Sequence, residues 1–411
     1  MVLPILAGPS LAVYKREGKG DYMDLRKAIC ELSETLTRDR HELHEHPELS
    51  FKEAKTTEYI AKRLESMGIP VMRYPSYYGL VGTIAGKAQG KTVLLRADID
   101  ALPIKEASGV SFASQNIGVM HACGHDAHTA MLLGAAKVLK EESKNFLGTV
   151  KLLFQSAEES GNGAPFYIKN GILKDVDAAF AIHVQPGLPL GTISLDAGLR
   201  STSCTNFNLT ITGTSAHGST PHLGHDAIVA ASAVIMDIQT LVSRISDPLN
   251  PLVVTIGKVE AGKQFNIICD EVKLEGTIRT YDRDLFEGIP KKLEALAQGT
   301  AEAMDCHAKM DVVTHEPLCS NDDPALLDAA SKAAVSLWGE EALVTMPAMM
   351  ASEDFAFIMD EVPSVIAYLG TGTDTDKSPL HSNTFRIDDA VLPRGAGIYA
   401  GFALNVLGKE G

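Results

Sequence analysis

Three short apolar runs in the first half of this chain each deliver acidic or imidazole side chains at their carboxyl end. Residues 92–97 lead into Asp98-Ile99-Asp100, residues 149–155 reach Glu158-Glu159, and residues 178–182 deliver His183. Runs of this length bounded by polar residues predict strands. Helical stretches separate them, one alanine-rich to about Glu142 and one near 165–170. Strands alternating with helices predict a mostly parallel sheet covered on both faces, and such sheets bind ligands beyond the carboxyl ends of their strands. The fold itself would therefore gather Asp98, Asp100, Glu158, Glu159 and His183.

Ahead of these runs, Leu25, Ile29, Leu32 and Leu36 recur at helical spacing from about Asp21, and the pattern ends before Pro47. Ile60, Leu64 and Met67 mark a second helix stopped by Gly68, and 80–85 is another strand. From about Ser201 the pattern changes. A strand carrying Phe207, Leu209 and Ile211 is followed by a helix (226–244), strands at 252–259 and 272–280, a helix (285–304) and a strand (308–313). This is the β-α-β-β-α-β order of a ferredoxin-like module. Helices at 324–337 and 353–359, a strand at 365–369 and a last helix from about Ala390 resume the first pattern. At 411 residues the chain has room for two domains. The expected architecture is α/β, with a catalytic domain of residues 1–200 and 314–411 interrupted by an α+β domain of residues 201–313.

Acidic residues outnumber basic ones, 52 to 37, for a formal charge of -15 that repels phosphate backbones and argues against nucleic acid as a partner. A small anionic substrate is compatible, because one local arginine outweighs a distant, screened field. Six cysteines lie scattered without paired spacing, which predicts reduced thiols and a cytoplasmic protein. Residues 1–14 are mildly apolar but lack a basic region and are broken by Pro4, Gly8 and Pro9, so they read as an irregular leader, with a signal peptide as the lesser alternative. No apolar run elsewhere is expected to approach a membrane span.

The run His121-Ala122-Cys123-Gly124-His125-Asp126-Ala127-His128 places a thiol, three imidazoles and a carboxylate in eight residues. Thiolate and neutral imidazole suit zinc and related metals, and Gly124 lets the backbone turn so that Cys123 and His125 face one centre. Cys123 is equally a candidate nucleophile beside a histidine. The pair Glu158-Glu159 reads as a solvated acidic surface or as a division of labour, one carboxylate on a cation and the other accepting a proton from water.

Taken in order, RHELHEHPELSFKE (40–53), LLRADIDALP (94–103), HACGHDAH (121–128), FQSAEE (154–159), AIHV (181–184), SAHGSTPH (215–222), GTIRT (276–280), SEDF (352–355) and LHS (380–382) span nearly the whole chain. In them the chain resembles the aminoacylase and carboxypeptidase metallopeptidases, peptidase family M20, and specifically the amidohydrolase branch that cleaves N-acyl amino acids, hippurate and auxin conjugates. The resemblance implies two divalent metal ions per subunit (zinc, manganese, nickel or cobalt) held by Cys123, His125, Glu159, His183 and His381. It makes Glu158 the general base and Asp100 a supporting aspartate, and it puts Asp98 where other branches carry a histidine ligand. The inserted module corresponds to a lid through which a homodimer forms. His217 is then presented to the substrate across the dimer, and Asn266 and Arg279 match lid positions that contact substrate. From the sequence alone, Arg279 reads as a clamp for a substrate carboxylate or as a solvated strand arginine. His121 and His128 are expected to support ligands or cap the helix, and His41, His44 and His46 to serve helix termination or packing. The lid segment AGKQFNIIC departs from the family pattern, with Phe265 where a small residue is usual and Cys269 in place of proline. The function expected is metal-dependent hydrolysis of an N-acyl amino acid; the rivals are a metal-dependent dipeptidase, a cysteine amidase using Cys123, and a non-catalytic binding protein.

Overall fold

The computed structural model describes residues 25–408. It opens with α1 (Leu25–Glu31) and α2 (Ser33–Glu45), two helices meeting at Leu32 where one was expected. Asp21 and the apolar opening segment lie outside the described residues. Helix α3 (Ala54–Ser66) buries Ile60, Ala61 and Leu64 and stops before Gly68, whose φ of 69° is a left-handed conformation that glycine adopts without strain. There follow β1 (Val71–Arg73), β2 (Leu80–Ala85), β3 (Thr92–Asp98), α4 (His125–Glu141), β4 (Thr149–Gln155), α5 (Gly163–Lys169), β5 (Ala178–Pro189), β6 (Ile193–Ser194) and β7 (Gly198–Ser201).

A second sheet begins with β8 (Ser203–Thr212) and continues through α6 (Ala227–Asp237), β9 (Leu252–Ala261), β10 (Glu271–Thr280), α7 (Arg283–Glu302) and β11 (His307–Glu316). Its strands run in the order β11-β8-β10-β9, antiparallel throughout, and its core joins Phe207, Leu209 and Ile211 to Ala230, Val234 and Leu293 of the two helices. The chain then returns through β12 (Cys319–Asn321), which pairs with β7, and through α8 (Pro324–Trp338), α9 (Ala356–Glu361), β13 (Ser364–Gly372) and α10 (Leu392–Leu407).

The first sheet has the order β1-β2-β4-β3-β5-β13-β6. Its centre, β4-β3-β5-β13, is parallel, and antiparallel β1, β2 and β6 finish the edges. Along β3, Val93 and Leu95 pack toward α4 and α10 while Leu94 packs with Ala164 of α5 and Ile358 of α9, so both faces are covered. This mixed α/β sheet aims the carboxyl ends of its parallel strands at the second sheet.

Several boundaries differ from the pattern: β11 runs on to Glu316, β13 to Gly372 and α9 begins at Ala356, and two others shift further. Strand β5 runs to Pro189 because its parallel pairing with β13 continues past His183↔Tyr368 to Gly372↔Pro189, so His183 sits within the strand and not after it. Helix α6 stops at Asp237, and a π turn, Leu241–Ile245, follows. Around this break Thr240 and Ser243 hydroxyls donate to the Asp237 and Gln239 carbonyls (2.6 and 3.1 Å), a local alternative to regular helix. A further correction concerns apolar length. Ala227–Ile245 and Asp389–Leu407 are long and apolar enough to cross a membrane by length and composition. In α10 the reason is a core position: Gly395, Gly397 and Gly401 let the helix press against Met131, Leu337 and Ala333. In α6, Ala227, Ala230, Ala231 and Val234 face the second core while Ile228, Val229 and Met236 stay exposed.

Candidate metal centre

Gly124, with φ 85°, precedes the first residue of α4, His125. A Cβ there would lie 2.5 Å from Val184 Cγ2, so only glycine lets this turn rest against β5 beside His183. Cys123 and His125 are thereby held on either side of the turn. Just past the end of β4, Ala157 takes a left-handed φ of 61° and donates its N–H to Glu53 Oε1 (2.9 Å), and the turn Glu158–Ser160 follows. The Glu159 N–H donates to Asp100 Oδ2 (3.0 Å), which also accepts from Ser50 (2.7 Å). His381, at φ 61°, is tied back by its N–H to the Ala122 carbonyl (2.8 Å).

These segments bring the five expected ligands and the expected base together. Ligand atoms of Cys123, His125 and His183 lie within 4.8 Å of one another, as do those of Cys123, Glu159 and His381, and those of His125, Glu158 and Glu159. Cys123 Sγ is 3.5 Å from His183 Nε2, and His381 Nε2 is 3.5 Å from Glu159 Oε1. His183 Nδ1 donates to the Val184 carbonyl (2.7 Å), which leaves Nε2 with its lone pair facing the cluster. Among the described residues, His125 Nε2 and Glu159 Oε1 are buried with no hydrogen-bond partner. An unpaired buried polar atom costs about 1–3 kcal/mol. Two facing one space, beside a thiol and a second imidazole, make a donor set that a divalent cation fits.

Electrostatics point the same way. Burial, reinforced by Glu159, Glu158 and Asp98, drives the Cys123 thiol well above its ordinary pKa. A cysteine nucleophile needs the opposite shift. His183 is pushed down to about 3 by burial and by the neighbouring His128, so it cannot serve as a cationic partner to a thiolate. Burial also raises Glu158 well above the ordinary carboxylate range, with Glu353 and Glu159 adding repulsion, and raises Glu159 to about 7. For His125, burial opposes protonation, but Asp98 and Asp100 outweigh it and lift the ring to about 10. The cluster is short of positive charge, and metal cations would relieve it.

Asp98 is occupied elsewhere. Its carboxylate accepts from Arg96 (2.7 Å) and from His128 Nδ1 (2.5 Å), while His128 Nε2 accepts the Val184 N–H (3.0 Å). His128 thus ties β3 to the backbone beside His183. Arg96 also reaches Asp354 (2.7 Å) and Glu353 (3.0 Å) behind Glu158. This hub escaped the sequence reading, although a lone arginine in an apolar strand was its signal. His44 does more than end a helix: its nitrogens face Asp126 (2.8 Å) and Glu106 (3.1 Å), and Arg40 donates to Asp126 (3.0 Å) and Asp389 (2.6 Å). His121 is buried with neither nitrogen bonded among the described residues and is pushed down to about 4, chiefly by burial.

The ligand atoms open into a cavity of about 340 Å³ whose lining includes Arg279, Glu316, Met349, Tyr368 and Leu380. Arg279 donates to the Met350 carbonyl (3.1 Å). His217 and Asn266 do not line this cavity. They sit together on an exposed tip of the second sheet, where Gly218 N–H meets the Asn266 carbonyl (2.8 Å). Phe265, which stands where the family usually has a small residue, is on the same tip and 95% exposed.

Residues 94–405 match the model of peptidase family M20/M25/M40. The chain is 38% identical to N-acetyl-L-cysteine deacetylase of Bacillus subtilis over 89% of its length and 86% of that protein. It is 36% identical to hippurate hydrolase of Campylobacter jejuni over 94% of its length and 100% of that protein. Among solved structures it superposes on a dinuclear metal-binding peptidase of the M20 family from Bacillus subtilis with a TM-score of 0.79 and 34% identity, covering 92% of this chain and 99% of that one.

Proposed function

The chain belongs to peptidase family M20/M25/M40, and from that premise we propose that it is a metal-dependent amidohydrolase cleaving the amide bond of N-acyl amino acids, N-acetyl or N-benzoyl. The observation that carries this reading is the convergence of Cys123, His125, Glu159, His183 and His381 around unpartnered buried donor atoms, with Glu158 beside them. Similarity to a deacetylase of N-acetylcysteine and to a hippurate hydrolase supports the substrate class.

In this reading the five ligands hold two divalent ions, with zinc, manganese, nickel and cobalt as candidates. Bound there, such ions supply Lewis-acid polarisation of the amide carbonyl and lower the pKa of water. Glu158 takes a proton from the attacking water and returns it to the departing amine. Asp100 holds Glu159 and His125 in place, a role supported by its bond from the Glu159 N–H. Arg279 receives the substrate carboxylate in a bidentate pair. His217 and Asn266 reach the substrate from a second copy of the chain, which accords with their distance from their own cavity.

We take residues 1–200 and 314–411 as the catalytic domain and residues 201–313 as the lid and dimerisation domain. Exposed Val253 and Val259 on the edge strand β9, with Ile228 and Val229 on α6, support a homodimer formed there. A cytoplasmic location is supported by the absence of any disulfide among the six cysteines.

The test is turnover of N-acetyl and N-benzoyl amino acids and of dipeptides by protein loaded with each metal. Chelation is expected to abolish activity and metal to restore it, with N-acyl amino acids the better substrates. Faster turnover of dipeptides means a dipeptidase. Activity that survives exhaustive chelation but not thiol alkylation means a cysteine amidase.

A further inference from the structure

The strands of the second sheet present one charged rung to the cavity. Cys204 of β8 pairs with Arg279 of β10 on one side and with Glu316 of β11 on the other, and all three side chains line the site. Neighbouring strands lie about 4.8 Å apart, so the backbone positions of the arginine and the glutamate are separated by about 10 Å. Only the short Cys204 side chain stands between them. An irregularity between Val312 and Thr314 re-aims the end of β11. Beyond it, His315 stacks on Phe286 of α7 (3.8 Å), and Glu316, alternating to the other face, turns into the cavity.

Glu316 is only 6% exposed and lies directly over the loop that follows Glu158 and Glu159; a Cβ on Gly161 would collide with its Oε1. Among the described residues no ion pair joins it to a cation: Arg279 bonds the Met350 carbonyl and acts on the carboxylate only through its charge, while the hydroxyls of Ser352 and Thr314 bond it. Burial accordingly pushes its pKa upward. Nothing in the hydrolysis described above employs this group. A buried carboxylate without a cation paired directly to it is unfavourable, and a cavity that bears one rewards the ligand that supplies that pairing.

We propose that Glu316 is a specificity-determining residue that receives the ammonium or guanidinium group at the end of the leaving amino acid's side chain, while Arg279 holds that amino acid's α-carboxylate. This rests on the amidohydrolase reading. The preferred substrates are then N-acyl derivatives of basic amino acids. An apolar side chain leaves the Glu316 carboxylate buried and unmatched, and an acidic one meets it with like charge.

The experiment compares kcat/KM of the metal-loaded enzyme for Nα-acetyl-lysine, Nα-acetyl-norleucine and Nα-acetyl-glutamate. A hydrogen bond to a charged group predicts a preference of about tenfold or more for lysine over norleucine, with glutamate last. Glu316→Gln, which keeps shape and removes charge, is expected to bring the lysine-to-norleucine ratio close to one. Should that variant fail to fold, Glu316→Asp is expected to keep the sign of the preference and lose part of its size. A ratio at or below one in the parent overturns the proposal, and so does a preference that either variant leaves intact. Failure of the metal-loaded enzyme to hydrolyse any N-acyl amino acid defeats instead the reading on which it rests.

Discussion

At the scale of single residues, neighbouring carboxylates end up with different tasks because their surroundings differ. Glu159 faces Cys123 and His381, whereas Glu158 faces Glu353 and Asp354. Replacing Glu158 with glutamine is expected to leave metal content unchanged and lower kcat by roughly a thousandfold, the scale of a lost general base; an equally fast variant removes Glu158 from the chemistry. His44 offers a different reading. Burial lowers its pKa, but Asp126 and Glu106 more than compensate, and the ring titrates at about 9. Both nitrogens donate to carboxylates, so the bonded form is the imidazolium. A folded pKa above the ordinary 6.5 adds stability that is complete below that value and is lost as pH rises through 9. The gap in unfolding free energy between the parent and His44→Gln should therefore be widest near pH 6 and shrink by about 3 kcal/mol toward pH 10. Denaturant titration at both pH values measures it, and a constant gap would falsify the imidazolium assignment.

At the scale of elements, the site depends on how α4 begins. The backbone of Gly124 lies against Val184, and His128, one turn on, bonds the Val184 N–H, so the helix start and β5 are locked together beside His183. Gly124→Ala adds left-handed strain of about 1–2 kcal/mol, and the collision with Val184 adds to it. A lower melting temperature is expected together with weaker metal retention in a chelator competition; normal retention would mean that the turn does not set the ligand geometry. The glycine and the ligands around it were legible as a motif in the sequence. The supporting role expected of His128 was legible too, but its partners were not, because Asp98 lies 30 positions away and the other partner is a backbone group on a different strand. The extent of β5 was hidden for a similar reason, since its end is set by pairing with β13.

At the scale of the whole molecule, β5 and the segments that follow the other parallel strands hold the ligands and the second sheet closes over them with Arg279 and Glu316, while its far tip carries His217 and Asn266 away from the cavity. Sedimentation is expected to find a dimer. Charged substitutions at Val229 and Val253 should release monomers whose metal content is normal and whose turnover is severely reduced, because each site then lacks the other copy's tip. Fully active monomers would contradict a site completed by two chains.

The order of elements and the strand-end placement of Asp98, Asp100, Glu158 and Glu159 followed from the sequence, because periodicity depends on neighbours along the chain, while the ligand set came from the motifs that resemble the family. Assigning partners required the tertiary structure. Asp98 turns to Arg96 and His128, Cys123 is surrounded by carboxylates that disfavour its thiolate, and Glu316 enters the cavity two strands from Arg279. Burial and long-range proximity decide which charges are compensated and which await a ligand, and neither quantity can be read from residues in a line.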